Sequence, residues 1–262
     1  MTPVALTIAG SDPSGGAGVQ ADLKTFHQHG VYGTSVITLL TVQNTQSVLD
    51  VEILRPEFIL AQLEAVLEDI PPAAAKIGAL GTAEVIRAVA RRAGSFNFPL
   101  VVDPVMISKH GVALLDCEAA DVMRRELLPA AFLVTPNSLE ASRLSGIQVD
   151  DPASMEEAAA AIASLGPRNV LIKGGHLTED ARDVLWAGGT LHRLHSDRLE
   201  SRNTHGTGCV LSAAITARLA RGEGLLEAVR GAKRFITQAI RTSPGLGRGL
   251  GPTNLHIETD PR

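Results

Sequence analysis

The segment Asn203-Thr204-His205-Gly206-Thr207-Gly208-Cys209 stands directly before Val210 to Leu219, an apolar stretch of helical length. A helix start carries unpaired N–H groups and partial positive charge, and glycines let those groups converge on an anion. The segment can therefore be a cradle for an oxyanion or phosphoryl group. It can equally be a Gly-rich turn in which Cys209 is a small buried hydrophobe. At the positive end of a helix, Cys209 is expected to have its thiol pKa pulled down, which suits a proton acceptor near neutral pH.

Other candidates follow predicted strands. Gly10-Ser11-Asp12-Pro13-Ser14-Gly15-Gly16-Ala17-Gly18 is a loop of small residues that leads into a helix bearing Asp22 and Lys24. It lacks the GKS or GKT ending of a Walker loop and the GxGxxG spacing, so it reads as a tight strand-to-helix turn or a ligand loop. Asn137 with Glu140 fits an N-cap and capping-box pair after Thr135-Pro136. In Lys173-Gly174-Gly175-His176 a lysine with flexible backbone can meet a phosphate or simply make a loop. Asp103, in Val101-Val102-Asp103-Pro104, sits where a carboxylate can serve Mg2+ or cap a turn. His27, His29, His192 and His195 read as structural or solvated, the first two without partners. His205 precedes Cys209 by one turn, but GTGC is neither a nucleophile elbow nor a cysteine-protease signature.

The elements that must position these residues read as repeated β-α units. Val4 to Ala9, Ser35 to Val42, Leu100 to Val102, Phe132 to Thr135 and Val170 to Lys173 are predicted as buried parallel strands. Ile59, Leu63, Val66, Leu67 and Ile70 make one apolar helical face, and Val85, Ile86 and Val89 begin another after a Thr82 cap. Ser154 with Glu157 predicts a capping box opening an Ala-rich helix that ends near Leu165. Asp183 to Trp186 and Thr190 to Leu194, flanking Gly188-Gly189, predict an antiparallel edge hairpin. The expectation is a layered α/β fold with helices on both faces and ligands beyond the carboxyl ends of the strands.

The 262 residues are 45% hydrophobic, with formal net charge -4. That suits one core and one domain over residues 1–262. Without a basic excess, nucleic acid is excluded as a partner. Met1 to Gly10 does not read as a signal peptide, no apolar run suits a membrane span, and Cys117 and Cys209 have no metal spacing. A cytoplasmic protein without membrane partner is expected.

Taken in order, ALTIAGSDPSGGAGVQADLKTF, VITLLTVQNT, KIGAL, VVDPVM, TPN with Glu140, KGGH, NTHGTGC and GRGLGP resemble the hydroxymethylpyrimidine/phosphomethylpyrimidine kinases of thiamin biosynthesis. The resemblance runs from about Val4 to Gly251. It implies a ribokinase-like three-layer αβα sandwich with a mostly parallel central sheet, a homodimer, and ATP and Mg2+ as cofactors. The implied reaction phosphorylates the hydroxymethyl group of the pyrimidine and then its monophosphate. Gly206, Thr207 and Gly208 would form the anion hole, with Cys209 as base. Gly10, Asp22, Thr41 and Gln43 would hold the heterocycle. Lys173, Asn137 and Thr204 would attend the nucleotide, with Asn137 at the metal shell, and Asp103 and Glu140 would hold Mg2+ through water. Thr41 and Ala79 stand where close relatives are expected to carry Val and Met, which loosens the pocket. Pyridoxal kinase on the same scaffold is the nearest rival, and a non-catalytic ligand sensor the more distant one.

Overall fold

Short runs of β-branched and small apolar residues build the centre of the molecule. The computed structural model describes residues 2–106, 117–175, 182–195 and 199–257. The strands are β1 Val4–Ser11, β2 Tyr32–Gln43, β3 Val48–Ile53, β4 Ala74–Ile77, β5 Leu100–Val102, β6 Leu133–Val134, β7 Asn169–Ile172, β8 Asp183–Ala187 and β9 Thr190–Leu194. They form one sheet in the order β3-β2-β1-β4-β5-β6-β7-β8-β9. The six strands from β2 to β7 pair in parallel. Antiparallel strands close both edges, β3 beside β2 and the β8/β9 hairpin beside β7.

Helices cover both faces, as expected. They are α1 Gly18–Gln28, α2 Pro56–Asp69, α3 Ala83–Ala93, α4 Cys117–Val122, α5 Ser138–Ser145, α6 Pro152–Ala163, α7 Thr207–Ala220 and α8 Leu225–Arg241. Leu6 and Ile8 point into a core with α2 to α6, whereas their neighbour Ala5 faces α1, α7 and α8. Every residue of α7 from Val210 to Ala220 is buried, because this helix crosses β1, β4 and β5 between α1 and α8. That is why its sequence is apolar all round. Burying Val210, Leu211 and Ile215 stabilises the fold by about 1.5–3 kcal/mol each, and fixes the helix start that the sequence marks with GTGC.

Several local expectations are corrected. The sequence reading omitted β3, whose charges Asp50 and Glu52 sit on an open edge, and β4, where Lys76 interrupts an alanine run. Thr82 does cap α3, accepting from the Val85 N–H at 3.3 Å. For α6, however, the cap is Asp151, in a capping box with Ser154, and Glu157 takes no part. Ile70 lies beyond the end of α2 and is exposed. His29 is not without partners: it bonds the Thr25 carbonyl at 2.8 Å and packs edge-on against Phe235.

Candidate active site

The chain leaves β1 for β2 on one side and later returns to β4 on the other, so a topological switch point lies between β1 and β4. Such crevices, outside the carboxyl ends of parallel strands, are where open α/β sheets bind ligands. A cleft of about 710 Å³ opens there, lined by Gly10 at the carboxyl end of β1, Gly78 after β4, Asp103 after β5, Asn137 after β6 and Lys173 after β7.

At the head of α7, Gly206 is the N-cap with φ +73°. A Cβ there would collide with the Gly16 carbonyl, so glycine is required by both backbone and neighbour. The Thr207 N–H turns back to the Thr204 carbonyl at 3.4 Å, and the backbone ladder of the helix starts with the Val210 N–H on the Gly206 carbonyl at 2.9 Å, which leaves the Gly208 and Cys209 N–H groups between them to the cleft that these residues line. A Cβ on Gly208 would sit 3.3 Å from Lys173 Nζ and 3.6 Å from Asp103 Oδ2. The helix dipole and the Lys173 ammonium therefore converge on one spot suited to an anion.

Lys173 Nζ donates to Asp103 Oδ1 at 2.8 Å, and both side chains are nearly buried. Burial works against the lysine's charge, but Asp103 and Glu140 outweigh it and raise its pKa. Ser212 at 3.4 Å and Thr135 at 3.3 Å complete the shell of Asp103. Glu140 and Asn137 form a reciprocal capping box at the start of α5: the Asn137 N–H donates to Glu140 Oε2 at 2.8 Å and the Glu140 N–H to Asn137 Oδ1 at 2.9 Å. Burial, reinforced by the charge of Asp103, pushes Glu140 up to about 7 against the pull of Lys173. Because its Oδ1 is committed to the cap, Asn137 has N–H donors to offer a ligand, which suit phosphate oxygens better than the metal shell expected for it.

Cys209 lies half-buried on the cleft floor. The expected lowering of its pKa is overturned. Burial pushes the thiol above its ordinary value; Lys76 and the Gly18 N–H pull the other way, and Asp22 and Asp103 add to the rise. Desolvation of a thiolate outweighs the pull of the Lys76 charge here.

Asp22 is a second correction. It is fully buried below the cleft, where both its oxygens accept from Lys76 Nζ at 2.7 Å and one accepts from Thr7 Oγ1 at 2.6 Å. Its contact is with Lys76, and it is Lys76 that reaches the cleft lining.

The other expected heterocycle residues, Gly10, Thr41 and Gln43, all line the cleft, as does Thr204. One end of the Gln43 amide lies 3.3 Å from Thr41 Oγ1 and the other 3.3 Å from His205 Nε2. His205 in turn meets Asp12 Oδ2 at 2.8 Å. His176 of the KGGH segment lies outside the described residues.

Residues 12–254 match the phosphomethylpyrimidine kinase family. The chain belongs to this family. Two curated relatives bracket it. A thiamine biosynthesis bifunctional protein of Geobacter sulfurreducens is 50% identical over 96% of this chain, which spans 52% of that protein, about half its length. The hydroxymethylpyrimidine/phosphomethylpyrimidine kinase of Streptomyces coelicolor is 46% identical, with 96% of this chain and 94% of the relative covered. Among solved structures, an ADP complex of Bacillus subtilis pyridoxal kinase superposes with TM-score 0.89 at 41% identity, covering 97% of each chain. The ribokinase-like sandwich implied by the sequence motifs is thus the fold of this phosphomethylpyrimidine kinase family member.

Three parts of the kinase-family site escaped the sequence reading. Asp12 organises the first loop by accepting from the Ser14, Gly16 and Ala17 N–H groups; an Asp-Pro-Ser-Gly run is the signal of such a side-chain turn. Lys76 announces itself as a lone charge inside a strand, which demands a buried partner. The far end of the cleft, with Leu199, Leu211, Ile236 and Ile240 around the Lys233–Asp183 ion pair, comes from separate helices and loops that no local pattern connects.

Proposed function

We propose that this chain transfers the γ-phosphoryl group of ATP to the hydroxymethyl oxygen of 4-amino-5-hydroxymethyl-2-methylpyrimidine, and then to the monophosphate to give the diphosphate of thiamin biosynthesis. One observation carries the chemistry: Gly208, at the N-terminus of α7, packs against the Lys173–Asp103 pair beside Cys209. Backbone donors and a cation there face the group that gains charge during transfer. Family membership and the Streptomyces coelicolor relative support the pyrimidine as acceptor; the ADP held by the Bacillus subtilis neighbour supports ATP as donor.

The cleft divides accordingly. Its apolar end, at Leu199, Leu211, Ile236 and Ile240, suits a nucleobase. The end formed by Gly10, Thr41 and Gln43 suits the pyrimidine, whose amino group and adjacent ring nitrogen match the acceptor and donor of one amide. Asp103 and Glu140 would suit a hydrated dication: burial and the charge of Asp103 hold Glu140 up to about 7 even against the pull of Lys173, so the two carboxyls favour further positive charge. Mg2+ keeps most of its waters and binds through one or two carboxylates and phosphates, and Asp103 and Glu140, both lining the cleft, are the carboxylates that would hold it. When bound, Mg2+ would neutralise phosphate charge. The substrate oxygen attacks the γ-phosphorus, the bond to the ADP oxygen breaks, and the hydroxyl proton passes to the Cys209 thiolate. Lys173 and the N–H groups of α7 hold the transferred group throughout.

A homodimer belongs to the same reading, and the exposed Leu40, Val42 and Leu49 along β2 and β3 offer apolar surface for it. Sedimentation at twice the chain's mass would support that surface. No helix among the described residues is long and apolar enough to cross a membrane, and the cytoplasm is the compartment inferred for a kinase using ATP.

Pyridoxal kinase is the second reading, favoured by the Bacillus subtilis neighbour. Incubation with ATP, Mg2+ and each of hydroxymethylpyrimidine, its monophosphate and pyridoxal, resolved by mass, separates the two. Two successive additions to the pyrimidine are expected. Phosphate on pyridoxal alone would overturn the pyrimidine assignment.

A further inference from the structure

An amide can face its neighbours in two ways, and its hydrogen-bond network decides which. Asp12 Oδ2 accepts from the Ala17 N–H at 2.8 Å and the Gly16 N–H at 3.2 Å, and lies 2.8 Å from His205 Nε2. Burial opposes the charge of Asp12, but the bonds from His205 and Ser14 outweigh it and hold its pKa below the ordinary value. An ionised carboxylate only accepts, so His205 Nε2 must carry a proton and donate it to Asp12. The Gln43 Nε2 lies 3.3 Å from that same nitrogen, donor facing donor with the one Nε2 proton of His205 already given to Asp12, so the amide settles by turning over to bring its oxygen there.

The opposite end gives the same answer independently. Thr41 Oγ1 lies 2.9 Å from the Ser11 carbonyl and 3.3 Å from the Gln43 amide. A carbonyl only accepts, so the single hydroxyl proton goes to Ser11 and Thr41 can only accept from Gln43. The Gln43 Oε1 that lies there thus meets a second acceptor, and the same turn of the amide replaces it with the nitrogen. With one N–H on Thr41, the other is left for the cleft that Gln43 lines.

We propose that His205, its Nε2 proton held by Asp12, is the positioning residue that fixes the Gln43 amide with an N–H aimed into the cleft, so that the site selects ring edges offering an acceptor. This rests on the acceptor site assigned above. His205 acts through Gln43 and touches no reacting atom. The loop Ser11 to Ala17, the turn before α7 and the end of β2 are thereby joined into one specificity device.

The test is a double-mutant cycle on the intact chain with hydroxymethylpyrimidine as substrate. His205→Leu is expected to raise KM about tenfold with kcat within about threefold, and Gln43→Met to do the same. The double variant should be no worse than Gln43→Met, and His205→Gln, which keeps a donor towards Asp12, should stay within about threefold of wild type in KM. Losses that multiply in the double variant, or a His205→Leu defect confined to kcat, overturn the proposal. Should His205→Leu not fold, His205→Asn, too short to reach the Nε2 position, takes its place with the same expectations. If the wild-type protein turns over pyridoxal alone, the pyrimidine assignment fails by itself; the cycle is then run with pyridoxal, where non-additive losses still support the role of His205 and multiplying losses still overturn it.

Discussion

The Asp22 carboxylate holds Lys76 with both oxygens at 2.7 Å, and neither side chain is exposed at all. The pair lies beneath Cys209, and the charge of Lys76 is the main influence pulling that thiol's pKa down against burial. Breaking such a pair strands a charge, whereas removing both partners does not. Asp22→Asn or Lys76→Met alone is expected to cost about 3–5 kcal/mol, read as a fall in urea midpoint. Asp22→Leu combined with Lys76→Met should recover most of that stability yet remain slow at pH 8, because the Cys209 thiolate has lost its cation. Full activity in the double variant would show that the pair serves folding alone.

Cys209 itself gives a pH signature. A thiol raised above its ordinary value is mostly protonated at neutral pH, so the thiolate fraction grows about tenfold per pH unit until the pKa is reached. If Cys209 is the base, kcat rises between pH 7 and pH 9. Cys209→Ala should lower kcat by about 10²–10⁴ and flatten that rise. A wild-type profile already flat across this range would remove the base role and leave catalysis to positioning.

Glu140 carries a stability signature of opposite practical use. Folded, its carboxyl keeps its proton up to about 7, against 4.5 for the ordinary group. Between those values the folded state binds more protons than the unfolded chain, so stability is full below the lower value and is lost as pH rises through the upper one. Glu140→Gln is already uncharged. In EDTA it is expected to be more stable than wild type at pH 8 by about 3 kcal/mol, with no difference at pH 4. Urea midpoints across that range check this; equal midpoints at pH 8 would mean that Lys173 holds Glu140 ionised without cost.

How much of this was legible beforehand depended on whether the signal was local. The strands that follow each other as β-branched runs, the edge hairpin around Gly188-Gly189 and the helix after GTGC were readable because period and turn chemistry lie within a few residues. β4 was hidden because its burial comes from both helix layers, which tolerate alanines that carry no strand signal. Asp22 was misplaced for a related reason: its position on α1 is plain, but the buried Lys76 that captures it is 54 residues away. The direction of the Cys209 shift was wrong because a helix terminus can be read in sequence and desolvation cannot.

The two glycines around Thr207 look equivalent in the motif but differ in surroundings, which gives the sharpest contrast. Gly206 has a left-handed φ of +73° and a Cβ there would strike the Gly16 carbonyl, so Gly206→Ala must displace backbone on both sides. A loss of about 2 kcal/mol or more is expected. Gly208 lies within α7, and its added Cβ would meet Lys173 Nζ at 3.3 Å, the mobile end of a flexible side chain. Gly208→Ala should therefore fold well, with helix propensity improved by up to about 1 kcal/mol. Its kcat should nevertheless fall at least about a hundredfold, since the methyl group occupies the space between helix N–H groups and Lys173 where the phosphoryl group must sit. Melting temperature and kcat measured on both variants decide it: a Gly208→Ala enzyme that is stable and fully active would mean that the anion is held elsewhere.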